Sequence, residues 1–388
     1  MRISRRGVLL ATAILTLISI MRADAAFGDL DPTFGGGDGK IEFLEGSTLT
    51  ATALVRQKDG KFIAVGMSSD GSGTNNVTLL VRRFNADGSV DTSFGGGGSA
   101  VAYNIYGDPN CVALQADGKI LVGGVGGIDY GTNTSAYVWR FNTNGWSDTG
   151  FGTNGRVQVG NAVDGVGSVA AFKTSSISST ESVLVAYGNT IKRLNSNGTT
   201  NTSFGTGGAI SGLGSVFLKK DASSSGPANI VTAHFFYNAT ILRGFTADGA
   251  VNPDFGSNGL SISYYGDYWD YAVPVLQSLI RTNQGKIVVL GRYCIAACFS
   301  HNSFIASHSA DGVLEHTESF NYMGRTVRAN PDGTLLAFMN PYQFAKLSSD
   351  LSSIIQTSPG GQISYDHFIQ PDTKVVSTWF LNIERRLQ

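Results

Sequence analysis

Short apolar runs recur along the chain at 62–65 (FIAV), 120–124 (ILVGG), 183–187 (VLVAY), 230–233 (IVTA), 287–291 (IVVLG), 335–339 (LLAFM) and 375–379 (VVSTW). Each is strand length, rich in Val, Ile, Leu and Phe, and several follow Asp-Gly or a related turn dipeptide. Asp-Gly and Asn-Gly adopt the positive φ angles of tight hairpin turns, so the pattern predicts strands and hairpins. No stretch beyond residue 25 carries sustained helical periodicity.

Two further phrases run in step with these runs. One is RRFN at 82–85, WRFN at 139–142 and KRLN at 192–195, which decays through RGFT, SHS and AKLS to ERRL at 384–387. The other is DGSVDTSFGGGG at 87–98, with copies carrying Phe34, Phe151, Phe204 and Phe255 and weak copies ending at Phe320 and Ile355. The strong copies place their Phe 60, 57, 53 and 51 residues apart. Such a period marks a solenoid or a propeller. Four short strands per unit and seven units predict an all-β, seven-bladed β-propeller of four-stranded blades. Residues 39–44 are expected to close it as the outer strand of the last blade, beside 381–387, leaving no open sheet edge.

FNADGSVDTSFGGGG (84–98) and LQADGKILVGG (114–124) resemble the bacterial delta-60 repeat, a family of exported β-propeller repeats of mostly unassigned function. Strand, Asp-Gly turn, strand is also similar to the NHL and gluconolactonase kinds of propeller. That similarity implies a phase in which the strand before Asp-Gly-Lys is innermost and the strand after Phe-Gly outermost. Gluconolactonase-like enzymes hold a metal with acids and amides at the mouths of the inner strands. Here those strands begin with Thr50, Cys111, Val166, Ser215 and Val273, so that site does not carry over.

Within the repeated corner, Asp31, Asp91, Asp148, Asn201 and Asn252 stand three residues before the Phe, where an Asx-turn is expected. The Phe is expected to plug the gap between blades. The acids resemble an EF-hand loop only faintly, because the bidentate acid at the loop's end is missing.

Composition agrees with an exported all-β protein. The 388 residues include 50 Gly, only 15% are charged, and the net charge is −1. Residues 1–25 read as a signal peptide, with MRISRR as the basic region, an apolar stretch, and Ala23-Asp24-Ala25 as the cleavage site. Residues 26–388 form the single propeller. Its charge is about −4 once four Arg and one Asp leave with the leader. Arg5-Arg6 followed by Gly-Val-Leu-Leu fits a twin-arginine signal as well as an ordinary one, and both routes stay open. Periplasm, cell surface and extracellular medium are all consistent with export. A monomer is expected, with no membrane association after leader cleavage. The charge distribution gives nucleic acid no basic patch.

In an oxidising compartment Cys294 and Cys298 are expected to form a local disulfide, leaving Cys111 buried and free. No catalytic motif is present. The five His, at 234, 301, 308, 316 and 367, are scattered, and no catalytic residue, cofactor or metal is assigned.

The expected phase puts two kinds of loop on one face, those from second to third strand and those from outer strand to next inner strand. These carry nearly all the length variation, including YNIYGDPN (103–110), YYGDYWDY (264–271) and RYCIAACFSHN (292–302). The opposite face is expected to hold only Asp-Gly turns and Phe-Gly crossings. YYGDYWDY packs five aromatics around two acids, a composition suited to sugar rings or peptides. The candidate ligand-binding residues are Tyr265, Asp267, Tyr268, Trp269, Asp270, Tyr271 and, from the neighbouring loop, Tyr293. A cap that packs between blades is the alternative use of these rings. The function expected is a binding scaffold for a protein, peptide or glycan; a carbohydrate-active lyase or hydrolase and a purely structural surface component are the alternatives.

Overall fold

The structure is a computed structural model that describes residues 31, 33–37, 41, 48–69, 77–102, 106–127, 134–161, 165–173, 181–211, 217–220, 230–236, 239–264, 275–295, 300–320, 323–330, 332–340, 343–351, 353–357, 364–369 and 375–379. Every regular element among them is a strand. Blade I comprises β1–β4 (Thr48–Arg56, Phe62–Ser69, Val77–Phe84, Ser99–Ala102) and blade II β5–β8 (Tyr106–Leu114, Ile120–Gly127, Ser135–Phe141, Arg156–Gly160). Blade III holds β9–β12 (Val166–Phe172, Ser182–Tyr187, Thr190–Leu194, Ala209–Ile210) and blade IV β13–β16 (Phe217–Lys220, Ile230–Phe236, Ala239–Phe245, Leu260–Tyr264). Blade V is β17–β20 (Val275–Arg281, Ile287–Ile295, Ser300–His308, Leu314–Phe320) and blade VI β21–β24 (Met323–Ala329, Leu335–Asn340, Gln343–Leu347, Ile354–Thr357). The last sheet is a hairpin, β25 (Ser364–Ile369) with β26 (Val375–Trp379).

Within each blade the strands pair antiparallel in chain order. First strands pack on first strands, β1 on β5, β5 on β9 and so on to β17 on β21, which makes them the inner ring; β25 touches both β21 and β1. The expectation of seven four-stranded blades is therefore corrected: among the described residues six four-stranded blades form, and the remaining sheet has two strands. The physical reason lies in the seventh unit, where the Asp-Gly turn of the strong copies has decayed to Pro371-Asp372-Thr373. The expected closure of 39–44 beside 381–387 lies outside the described residues, as does the leader 1–25.

The apolar core is divided among the seams. Val65, Val81 and Phe94 of blade I pack with Ile120, Val122 and Trp139 of blade II, and blades II and III meet through Val138, Phe151, Val169 and Val185. Equivalent clusters join III to IV, IV to V and V to VI. Each blade thus buries both of its faces only when it has neighbours, the condition for a repeat array to fold as one unit.

Two expected loops are partly strand. Residues 106–110 begin β5, and 292–295 and 300–302 extend the β18–β19 ladder, where Cys294 pairs with His301 and Ile295 with Ser300. In both places backbone pairing carries the ladder past the last apolar run into polar residues, which the hydrophobic pattern alone does not mark as strand.

Candidate functional site

The repeated corner is built first by its Asp or Asn. Asp91 Oδ1 accepts from the Ser93 N–H at 3.1 Å, and the Phe94 N–H donates to the Asp91 carbonyl at 3.0 Å. Asp148 and Asn252 cap Gly150 and Asp254 in the same way. The turn drives Phe94, Phe151, Phe204 and Phe255 to complete burial. The next residue, a Gly, donates across the seam: Gly95 to the Asn144 carbonyl at 2.7 Å, Gly152 to Asn197 at 2.8 Å, Gly205 to Asp248 at 2.8 Å and Gly256 to Asp311 at 2.6 Å. The Phe ring lies beneath the neighbouring blade's Asn/Asp-Gly turn, so closely that a Cβ on Gly198 would come within 3.2 Å of Phe151.

An arginine from the third strand completes the joint. Arg140 Nε donates to Asp148 Oδ2 at 2.7 Å, an Nη donates to the Ser196 carbonyl of blade III at 2.6 Å, and the guanidinium lies 4.3 Å above the Phe151 ring. Arg83 repeats this with Asp91, Thr143 and Phe94, and Arg193 with Asn201, Ala247 and Phe204. The Lys of Asp-Gly-Lys adds a second cation, Lys61 to Asp91 at 2.7 Å and Lys119 to Asp148 at 2.9 Å. Burial alone would raise Asp91, but hydrogen bonds from Lys61, Ser93 and Arg83 outweigh it and hold the carboxyl far below the usual range. Asp148 is lowered by the same contest, with burial opposed by Lys119 and Arg140. In blade III, where Ser182 replaces the Lys, the corner residue is neutral Asn201. In blades I and II the corner carboxylate is met by two cations.

Sequence reasoning assigned the Phe and the Asx-turn but not the arginine. Its signal was available: Arg83, Arg140 and Arg193 each precede the corner Asp or Asn by eight residues. In blade IV the position is Gly244, and a Cβ there would strike the Phe255 ring at 2.3 Å, so ring and arginine stem compete for one space.

Among the described residues no three His, Cys, Asp or Glu side chains gather as a metal would require. His308 stands where blades I, II and IV have Phe84, Phe141 and Phe245. It is fully buried, its Nε2 lies 3.1 Å from Ser263 Oγ of blade IV, and burial pushes its pKa down to about 4. Cys111 lies against the Gly123 and Val166 carbonyls, and burial raises its thiol to about 12, the opposite of an activated nucleophile.

Tyr265, Asp267, Tyr268, Trp269, Asp270 and Tyr271 lie outside the described residues, as do Cys298 and the side chain of Cys294. Tyr293 is buried in blade V against Phe304 and Ala306. The chain immediately before the aromatic stretch is described. Phe236, at the end of β14, pairs with Ala239, and Ala239 pairs with Tyr264, at the end of β16. One cross-strand row puts all three side chains on the same face of blade IV. Phe236 is 61% and Tyr264 68% exposed, while Ala239 between them is buried. With strands about 4.8 Å apart, the two aromatics stand roughly 10 Å from one another across a small-residue floor. Both strands run toward the loop-rich face.

The opposite face is less uniform than expected. First-to-second connections span 57–61, 115–119, 282–286 and 330–334 in blades I, II, V and VI, but 173–181 and 221–229 in blades III and IV. At the seam of blades II and III an open groove of about 390 Å³ is lined by residues including Gln115, Lys119, Arg140, Lys173, Glu181 and Asn197.

Comparison with known proteins agrees with this architecture. Residues 57–94 and 115–151 match a domain of unknown function (DUF5122) described as a beta-propeller. No curated protein sequence matches the chain. Among solved structures, the WD40 β-propeller domain of Doa1 aligns over 87% of this chain and 92% of its own, with a TM-score of 0.50 and 15% identity. The Neurospora crassa Pan2 WD40 domain covers 87% and 94%, with a TM-score of 0.51 at 10% identity. A chain of the mitotic checkpoint complex covers 97% and 96%, with a TM-score of 0.54 at 10% identity. At such identities the likeness shows the propeller fold alone.

Proposed function

We propose that this β-propeller is an exported binding scaffold of the delta-60 kind whose loop-rich face takes a glycan or peptide. The single observation that carries the reading is the row Phe236, Ala239, Tyr264. Full burial of a large aromatic is worth about 1.5–3 kcal/mol, and Phe236 and Tyr264, 61% and 68% exposed, forgo much of it on one rim; in the sequence residues 265–271 follow with four further rings. Asp91, Asp148, Arg140 and Arg193 are committed to the joints on the other face, so they are tied to holding the ring together. Export rests on the leader pattern of residues 1–25.

A glycan and peptide array probed with protein lacking residues 1–25 tests the proposal. Retention of a defined ligand class, weakened in Phe236→Ala, is the expected result. Uniformly blank arrays, or binding indifferent to Phe236 and Tyr264, count against it.

A further inference from the structure

The groove between blades II and III lies at a seam where two residues, Gly150 and Asn197, differ from their counterparts Ser93 and Asp87 in blade I. In blade I, Ser93 Oγ donates to Asp91 Oδ1 at 2.6 Å; in blade II the equivalent residue is Gly150, so that hydroxyl is missing and only the Gly150 N–H meets Asp148 Oδ1. Blades I, IV and V carry Asp87, Asp248 and Asp311 at the acidic position of the turn that covers the Phe, whereas blades II and III carry Asn144 and Asn197. Asn197 Oδ1 accepts from the Thr199 N–H at 3.1 Å and the Thr199 hydroxyl at 2.8 Å. This fixes the amide, so Nδ2 is left as a donor without a partner among the described residues. The lengthened turn of blade III adds Lys173, which likewise has no hydrogen bond or ion pair among the described residues.

Among the acids that line the groove, Asp148 is ion-paired and the other two each hold one backbone N–H. Asp148 accepts from Lys119 and Arg140, Asp117 Oδ1 from the Lys119 N–H at 3.1 Å, and Glu181 from the Ala116 N–H at 2.8 Å. Among the described residues the donors left over include the Lys173 ammonium and the Asn197 and Gln115 amides, which suit a carboxylate, while the second oxygens of Asp117 and Glu181 remain as acceptors for hydroxyls. The remaining wall is polar, and Ala116 is its only apolar side chain. A volume of about 390 Å³ lies within the range of small-ligand sites. We propose that this seam binds a small polyhydroxylated carboxylate of the sugar-acid class, its carboxylate between Lys173 Nζ and Asn197 Nδ2. The site lies on the face opposite Phe236 and Tyr264 and is independent of the function proposed there.

The test is titration of the full mature chain with glucuronate, followed by NMR or calorimetry, with glucose as the uncharged control. Lys173→Ala removes the ammonium. Asn197→Asp and Gly150→Ser install residues that other blades carry at the same positions, so both fold. Saturable one-to-one glucuronate binding, weakened about tenfold or more by each of the three variants, with glucose not bound, is the expected result. Failure of glucuronate to bind at millimolar concentration overturns the proposal, as does equal binding of glucose or binding that all three variants leave intact. Phe236→Ala should leave glucuronate binding unchanged, which keeps this outcome separate from that of the loop-rich face.

Discussion

Arg140 and Phe151 are stacked in blade II, with the guanidinium 4.3 Å from the ring centroid, while the same guanidinium donates to the Ser196 carbonyl of the next blade. One side chain thereby fixes the corner of its own blade and docks the next. Arg140→Ala leaves Asp148 buried with Lys119 as its one remaining cation and should cost about 3 kcal/mol. Arg140→Lys should rescue little, because an ammonium cannot reach carboxylate and carbonyl in a fork while covering the ring. Arg193→Ala should cost less, since its partner Asn201 is neutral. Denaturant midpoints of the three variants check the order.

Gly198 sits at φ 89°, and a Cβ there would approach the Gly152 backbone N at 2.8 Å. Gly198→Ala should therefore destabilise by more than the roughly 1 kcal/mol typical of a surface change. Gly207, at φ 62° with open space around it, should lose only the conformational part on the same substitution. Thermal unfolding of the pair separates strain from steric conflict.

His308 gives the fold a pH dependence with a defined sign. Its folded pKa of about 4 lies below the ordinary value of 6.5, so the unfolded chain binds the extra proton between these values. Its contribution to stability is complete above about pH 6.5 and is lost as pH falls toward 4, at up to roughly 1.4 kcal/mol per unit. His308→Phe restores the residue of blades I, II and IV and should flatten the stability profile between pH 4 and 6.5. Asp91 and Asp148, both lowered in the folded state, add their loss only as pH drops below the ordinary carboxylate range. Urea unfolding across pH 3.5–7.5 on both proteins distinguishes the two windows.

If export and the Cys294–Cys298 bridge both hold, protein recovered from outside the cytoplasm should show one free thiol after denaturation and none reactive before it. Cys111 supplies that thiol, silent in the native state because burial raises it to about 12. Three thiols would exclude the bridge.

The sequence made the joints legible because they repeat: Phe94, Phe151, Phe204 and Phe255 are buried where the phrase places them, and the Asp or Asn three residues earlier forms the turn. The blade count departs from seven because the weakest copy, PDTKVVSTW, keeps the apolar run of the strong ones but lacks their Asp-Gly turn. Tyr293 reads as loop because a Gly and a Cys flank its neighbours, yet alternation along β18 turns it inward onto Phe304. The seam groove was illegible for a different reason. Its seam differs at Gly150, where blades I, III and IV carry Ser93, Ser203 and Asp254, and the loss of one small polar side chain acquires meaning only when blades are superposed.

The central claim is that exposed rings on the rim of blade IV are there to bind. Ligand affinity and melting temperature measured together on Tyr264→Ala test it most directly, with a ligand retained by the array. The account predicts affinity lower by about tenfold, within the 1–3 kcal/mol of a stacking platform, and a melting temperature within about 1 °C of the parent. A melting temperature several degrees lower with affinity intact would contradict it, because Tyr264 would then be a cap of the propeller rather than part of its binding face.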